Sequence, residues 1–316
     1  MISASDGKSV SKRAKRIHDA VMIINPNAGR FSAEQAQRVI DHLNVRLRTQ
    51  VLTTGSRDVG IELATEAASA GVPLVIAFGG DGHVNEVANG VAGTDSALGV
   101  IPGGTMNVFA RALGIPLDPI RAADELLAAL DTPERVVPLG RMDDRYFTFS
   151  AGCGFDAEAA ERVERDIPAK RRFGELFFYW SAFRVLAGSY RYRNPSMMLE
   201  GPFGKIPVAM TVASNTGPYA YLAGRSINLA PEVELEGGLD VFALKRMRLE
   251  SFPLYAWRSI FSGQFIDHPD SFYRHDLTSL DVYAETPFAR HVDGEPLKPK
   301  TSTHFELVPG ILKVRA

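Results

Sequence analysis

Cysteine is almost absent: Cys153 stands alone in 316 residues, which excludes a disulfide within the chain. A reducing cytoplasm is therefore the expected compartment. Long apolar runs are missing too, since none reaches the roughly 18 residues that a membrane-crossing helix needs. The opening segment MISASDGKSVSKRAKRIHDA lacks the apolar core of a secretory signal. Net charge is small, with 35 Lys and Arg against 37 Asp and Glu. That balance gives no global reason to expect nucleic acid as a partner. A soluble protein, at most peripheral to a membrane, is the expectation. What the chain does contain is ordinary globular material, 45% hydrophobic and 23% charged, in a length that favours two domains.

Lys8, Lys12, Arg13, Lys15 and Arg16 form a basic cluster within residues 1–16, expected to be a solvated, disordered tail. Attraction to anionic lipid headgroups is the sharper alternative, worth about 1 kcal/mol per basic residue at the surface.

From residue 17 to 135, strand-like runs alternate with helical spacing. VMIINP is a short strand closed by proline. In SAEQAQRVIDHL, Ser32 is placed as an N-cap ahead of Ala36, Val39, Ile40 and Leu43 at helical intervals. QVLTT, PLVIAFGG and LGVIPGG read as further strands, and DVGIELATEAASAG, HVNEVANGVA (from about Val84) and DPIRAADELLAAL as helices. This βαβα order predicts an open α/β sheet. Residues 136–308 change character, with strands separated by turn signals such as MDDR and PFGK, and helical spacing confined to three segments. An antiparallel β-sandwich domain with a few helices is expected there. Residues 309–316 form a C-terminal segment whose return to the first domain is left open.

The segment IAFGGDGHVNEVANG places Gly79, Gly80 and Gly82 around Asp81, directly after a buried-strand pattern. Open α/β sheets bind ligands at the carboxyl ends of their strands, and glycines at a helix start let phosphate approach backbone N–H groups. Asp81 would then serve a metal–phosphate complex, or cap the helix, or both. A second glycine loop, IPGGTMNVFARALGIP, holds Gly103, Gly104, Thr105 and Asn107, and NPNAG follows the first strand.

NPNAG, GGDGHVNEVANG, PGGTMNVFAR and the late HVDGE at residues 291–295, in this order, resemble the diacylglycerol kinase-like lipid kinases, which include sphingosine and ceramide kinases. The resemblance implies an α/β ATP-binding domain, a β-sandwich lipid domain and an active site in the cleft between them. It implies ATP and Mg²⁺ as cofactors. By analogy, Asn25, Pro26, Asn27, Ala28, Gly29, Thr53 or Thr54, Gly79 to Glu86 (with His83, Val84 and Asn85), Gly104, Thr105 and Asn107 contact ATP. Asp81 serves the metal, and Asp293 or Glu295 takes the proton of the lipid hydroxyl, diacylglycerol being the first candidate acceptor. A lipid substrate, peripheral membrane contact and phospholipid metabolism follow, and a homodimer stays open.

Phosphoryl transfer itself needs positioning, charge neutralisation and one carboxylate near the acceptor hydroxyl. Taken alone, VDGEP is a hairpin turn. Three positions depart from the family pattern. His83 replaces a usual threonine, which preserves a backbone contact but not a hydroxyl one. Val108 follows Asn107 where an aspartate is common, and Gly237, beside Glu234 and Glu236, stands where many relatives carry an acidic residue near a structural magnesium. On the lipid side, Lys170, Arg171 and Arg172 precede an aromatic helix holding Phe177, Phe178, Trp180, Ser181, Phe183 and Arg184, and Tyr219, Tyr221 and Leu222 offer tunnel-lining or core residues. Two alternatives stand beside the lipid kinase: a soluble-substrate kinase of the NAD kinase or phosphofructokinase type, and a non-catalytic nucleotide- or lipid-binding protein.

Overall fold

A computed structural model describes residues 18–28, 32–165, 196–222, 225–246, 266 and 268–316. Gly29, the basic tail, the side chains of Tyr221 and Leu222, and the aromatic segment from Lys170 to Arg184 lie outside the described residues.

Four strands open the chain: β1 (His18–Ile24), β2 (Leu47–Thr53), β3 (Leu74–Gly79) and β4 (Ala97–Pro102). They pair in parallel in the order β2-β1-β3-β4. β3 and β4 are buried at every position, as the continuous apolar runs require of strands covered on both faces. Between and after them run α1 (Ala33–Leu43), α2 (Val59–Ser69), α3 (Asp81–Val91), the short α4 (Val108–Ala112) and α5 (Pro119–Ala129). α1 packs against α5, and α2 against α3. Local chemistry starts two of these helices. Ser32 accepts from the Gln35 N–H (3.1 Å), and Asp118 accepts from those of Ile120 and Arg121.

The second half begins with the hairpin β5 (Arg135–Met142) and β6 (Arg145–Phe147), turning at Asp143 with φ 54°. It continues through β7 (Ser150–Gly154), α6 (Phe155–Arg165), the hairpin β8 (Met197–Gly201) and β9 (Gly204–Val208), and β10 (Met210–Ser214). The short pair β11 (Ala220–Leu222) and β12 (Arg225–Ile227) precedes β13 (Leu239–Leu244), β14 (Ser271–Leu277), β15 (Ser279–Val292) and β16 (Glu295–Arg315). On β13, Val241 and Ala243 enter one apolar cluster while Phe242 and Leu244 enter another. Strand alternation thus buries both faces.

β16 joins the halves. It pairs antiparallel with β15 and β5, and at Val314 and Arg315 it lies parallel to Leu98 and Gly99 of β4. The result is one 14-stranded sheet whose main path is β14-β13-β10-β7-β15-β16-β4-β3-β1-β2, with the hairpins β5-β6 and β8-β9 pairing off it at β16 and β15. The boundary expected at residues 308 and 309 falls inside this unbroken strand. There the register with β5 shifts between Val308 and Leu312, around Gly310 at φ 63°. A bulge, rather than a chain break, redirects the strand toward the first half. No helix among the described residues is long and apolar enough to cross a membrane.

Candidate active site

Because β1 to β4 are parallel, their carboxyl ends share one edge. The loops Asn25–Ala28, Thr53–Thr54, Gly79–Gly82 and Gly103–Thr105 therefore meet there. β1 and β3, neighbours in space but not in sequence, mark the switch point where open sheets bind ligands. Asn25 donates its backbone N–H to the Phe78 carbonyl (3.1 Å), and its side chain accepts from the Asn27 N–H (2.9 Å). Thr54 is buried and bonded to the Ile24 carbonyl, whereas Thr53 is exposed.

The two glycine loops touch backbone to backbone. Gly103 N–H donates to the Gly79 carbonyl (2.8 Å), and a Cβ at Gly104 would lie 2.6 Å from Gly80 Cα. A side chain at Gly104 would force the loops apart. Asn107, at φ 49°, locks the second loop by exchanging bonds with both the N–H (2.9 Å) and carbonyl (2.8 Å) of Gly104. Its amide is therefore committed to loop shape. Thr105 is exposed at the loop tip.

α3 begins at Asp81, not near Val84, and its N-cap is Gly80 without a side-chain cap bond. The Asp81 carboxylate instead reaches the start of α4, accepting from the Phe109 N–H (3.4 Å). Burial first, and the charge of Asp293 second, push this carboxyl up to about 6. His83 is buried and turned inward. A carbonyl can only accept, so its Nε2–H donates to the Ile23 carbonyl at 2.9 Å. Burial keeps the ring below the ordinary histidine range, although that bond opposes the shift. The imidazole thus ties the glycine loop to β1, and only the backbone at this position faces the loop.

Val84 belongs to the core. Glu86 is turned to α2, where its two oxygens accept from the Asp58 (2.8 Å) and Gly60 (3.0 Å) N–H groups. Asp58, at φ 66°, makes no cap bond of its own, so Glu86 caps that helix from its neighbour. Asn85 bridges the halves, donating to the Tyr146 carbonyl (2.8 Å) and to Asp293 (2.8 Å). These three side chains therefore build the floor of the cleft rather than line the loop edge.

The late motif is a two-residue turn. Asp293 and Gly294 both have positive φ, 48° and 80°, and Val292 pairs with Glu295 across it. Asp-Gly suits such a hairpin, whose twist matches that of the strands. The turn sends its two carboxylates to different fates. Asp293 is buried and accepts five hydrogen bonds. Asn85 Nδ2, Thr148 N–H and Thr148 Oγ1 reach one oxygen at 2.7–2.8 Å, and the N–H groups of Phe149 and Ser150 reach the other at 2.9–3.0 Å. Burial pushes this carboxyl up, and those donors oppose the rise.

Glu295 leans on the first turn of α3, so closely that a Cβ at Gly82 would overlap its Oε1. Its Oε2 is buried without a hydrogen-bond partner. The nearest cations are Arg57 Nε at 3.7 Å and Arg145 Nη2 at 3.9 Å. Burial pushes Glu295 up to about 7; the two arginines oppose that shift, and Glu86 and Asp293 add to it. Arg57 and Arg145 escaped the sequence reading, since no local pattern marks a charge whose partner lies in the other half. Among the described residues, no three His, Cys, Asp or Glu side chains could hold a metal ion by themselves. Near Gly237, Glu234 is exposed and Glu236 pairs with Arg135 at 2.9 Å.

The sequence model for the diacylglycerol kinase catalytic domain matches residues 19–142. A diacylglycerol kinase of Bacillus subtilis is 33% identical over 286 residues, covering 87% of this chain and 89% of that protein. A Chromohalobacter salexigens protein named "Probable lipid kinase YegS-like" is 34% identical over 275 residues, covering 81% of this chain and 80% of that one. Among solved structures, a diacylglycerol kinase from Bacillus anthracis shares the fold, with a TM-score of 0.70 at 24% identity over 95% of this chain and 96% of that one. Glycine loops and a carboxylate hairpin meet in one cleft, and the sequence likeness runs nearly end to end. This chain belongs to the diacylglycerol kinase family of lipid kinases, phosphotransferases that act on an alcohol group.

Proposed function

We propose that the protein transfers the γ-phosphate of ATP to a lipid hydroxyl, diacylglycerol first among acceptors, with Glu295 as the proton acceptor. The observation that carries this is the contrast within the hairpin. Four of the five partners of the Asp293 carboxylate are N–H groups that can only donate, and the Thr148 hydroxyl alone could turn to accept, so a proton placed there would cost most of these bonds. Glu295 accepts no hydrogen bond among the described residues and its side chain is 25% exposed, and burial pushes its carboxyl up to about 7, near the pH at which a general base works best.

The residues fit Mg·ATP. Gly80 and Gly104 leave the loop edge bare of side chains, Thr53 and Thr105 offer exposed hydroxyls, and Asp81 supplies one carboxylate. Magnesium is commonly held by one or two carboxylates plus substrate phosphates. Bound Mg²⁺ would neutralise charge on the phosphates. Glu295 accepts the proton as the acceptor oxygen bonds to the γ-phosphorus, the bond to the bridging oxygen breaks and ADP leaves with that electron pair. Asp293 holds the hairpin against α3 and β7, and Asn85 fixes the floor. Acceptor lipids reside in bilayers, so the cleft works at a membrane surface.

Incubation with radiolabelled ATP, Mg²⁺ and a panel of diacylglycerol, ceramide, sphingosine and NAD tests the assignment. Label is expected in a lipid product, diacylglycerol foremost. Label in NAD and in no lipid would refute it. Sedimentation with anionic vesicles tests the surface contact, and protein that stays entirely in the supernatant would refute that part.

A further inference from the structure

We propose that Arg57, on the loop between β2 and α2, is a further catalytic residue that contacts the phosphoryl group in flight. This rests on Glu295 as the proton acceptor.

The charges around Glu295 set the problem. Glu86 from α3 and Asp293 from the hairpin add negative charge at Glu295, Asp58 of the β2–α2 loop faces both neighbouring arginines, and Asp81 repels Asp293. The cations that the described residues bring within 4.0 Å of Glu295 are Arg57 and Arg145. A site so rich in carboxylates must admit a polyanionic phosphate, and one magnesium ion leaves much of that charge unmatched.

The two arginines differ in their freedom. Arg145 is 14% exposed and is spent on Asp58 (3.0 Å) and Asn85 (3.3 Å). Arg57 is 45% exposed. Its Nη2 donates to the Pro296 carbonyl at 2.6 Å, anchoring the guanidinium to the residue after Glu295. Among the described residues, its Nε–H and Nη1 have no hydrogen-bond partner, and Asp58 approaches no nearer than 3.9 Å. Nη2 spends one of its two N–H groups on Pro296, so one edge of the guanidinium keeps both of its donors for an anion, the geometry that suits phosphate oxygens.

Distance permits the contact. An acceptor hydroxyl within hydrogen-bond reach of Glu295 lies about 3 Å from the carboxylate, which places it within roughly 7 Å of the guanidinium. The equatorial oxygens of the phosphoryl group occupy the space between. Arg57 stands on the nucleotide side of the cleft, while its anchor stands on the hairpin. The fork is therefore complete only where the two halves meet.

The test compares Arg57→Met, Arg57→Lys and Glu295→Gln in single-turnover transfer from Mg·ATP to dioctanoylglycerol in micelles, across pH, alongside equilibrium ATP affinity. Arg57→Met is expected to lose about a hundredfold in rate at every pH, as when one transition-state donor is removed. Its ATP affinity is expected to stay within about threefold, with part of the rate restored by added guanidinium ion and part retained in Arg57→Lys. If Arg57→Met transfers at a native rate while Glu295→Gln does not, Arg57 has no such role and Glu295 stands. A loss at low pH alone, with a native plateau, would mean that Arg57 acts only by keeping Glu295 ionised, and overturns the proposal. So would a parallel loss of ATP affinity. Native rates in all three variants would overturn both assignments.

Discussion

Replacing Asp293 by asparagine separates a structural carboxylate from a reacting one. The native side chain accepts five hydrogen bonds, three on one oxygen and two on the other. An amide turns one oxygen into a donor. In the milder orientation, the N–H groups of Phe149 and Ser150 lose their acceptor and face an NH₂ group. Hydrogen bonds to charged groups contribute about 1.5–3 kcal/mol each, so two of them amount to about 3–6 kcal/mol. Relief from burying a charge returns part of this, leaving a destabilisation of about 2–4 kcal/mol. Against a typical total of about 5–15 kcal/mol that is a large fraction. Urea unfolding at pH 7.5 without nucleotide should show it as a lower midpoint with unchanged slope. A variant with native stability and abolished transfer would refute the argument and make Asp293 the proton acceptor.

Glu295→Gln should behave in the opposite way, losing about 10²–10³-fold in transfer rate while unfolding at a native or higher urea concentration at pH 8; a Glu295→Gln protein that transfers normally removes the base. Because the folded values of Glu295 (about 7) and Asp81 (about 6) are raised, the native state binds these protons more tightly than the unfolded chain. Their contribution is therefore full below about pH 4 and lost as pH rises to about 7, on the order of 3 kcal/mol for Glu295; urea midpoints at pH 5 and 8 capture most of it, and Glu295→Gln should flatten the difference. Gly82→Ala should displace the Glu295 carboxylate and lower turnover at least tenfold with little change in ATP affinity, which paired rate and affinity measurements would check. Glu86→Gln should uncap α2, costing about 1–3 kcal/mol in urea unfolding while leaving the transfer rate of the folded enzyme within a few fold.

Local chemistry made much of this protein legible in its sequence. Ser32 announces a helix start because a side-chain oxygen three residues ahead of an orphan N–H can satisfy it, and the structure adds Asp118 as a second such cap. Glycines after apolar runs mark loops at the ends of parallel strands, and Asp293-Gly294 specifies a tight hairpin because both positions need positive φ. The glycine loops and the hairpin carboxylates are thus marked along the chain, whereas Arg57, Arg145 and Thr148 carry no local signal. Their division of labour was decided by partners remote in sequence. Thr148 reaches Asp293 across 145 positions, and Arg57 reaches Pro296 across 239. Glu86, in the middle of a glycine-loop motif, serves the neighbouring helix because packing α2 against α3 brings two orphan N–H groups to it. β16 crosses from one half to the other because β4 offers a free edge that only the folded first half presents. Spacing along a chain fixes period and turn, but a hydrogen-bond partner is chosen by what the fold places within about 3 Å.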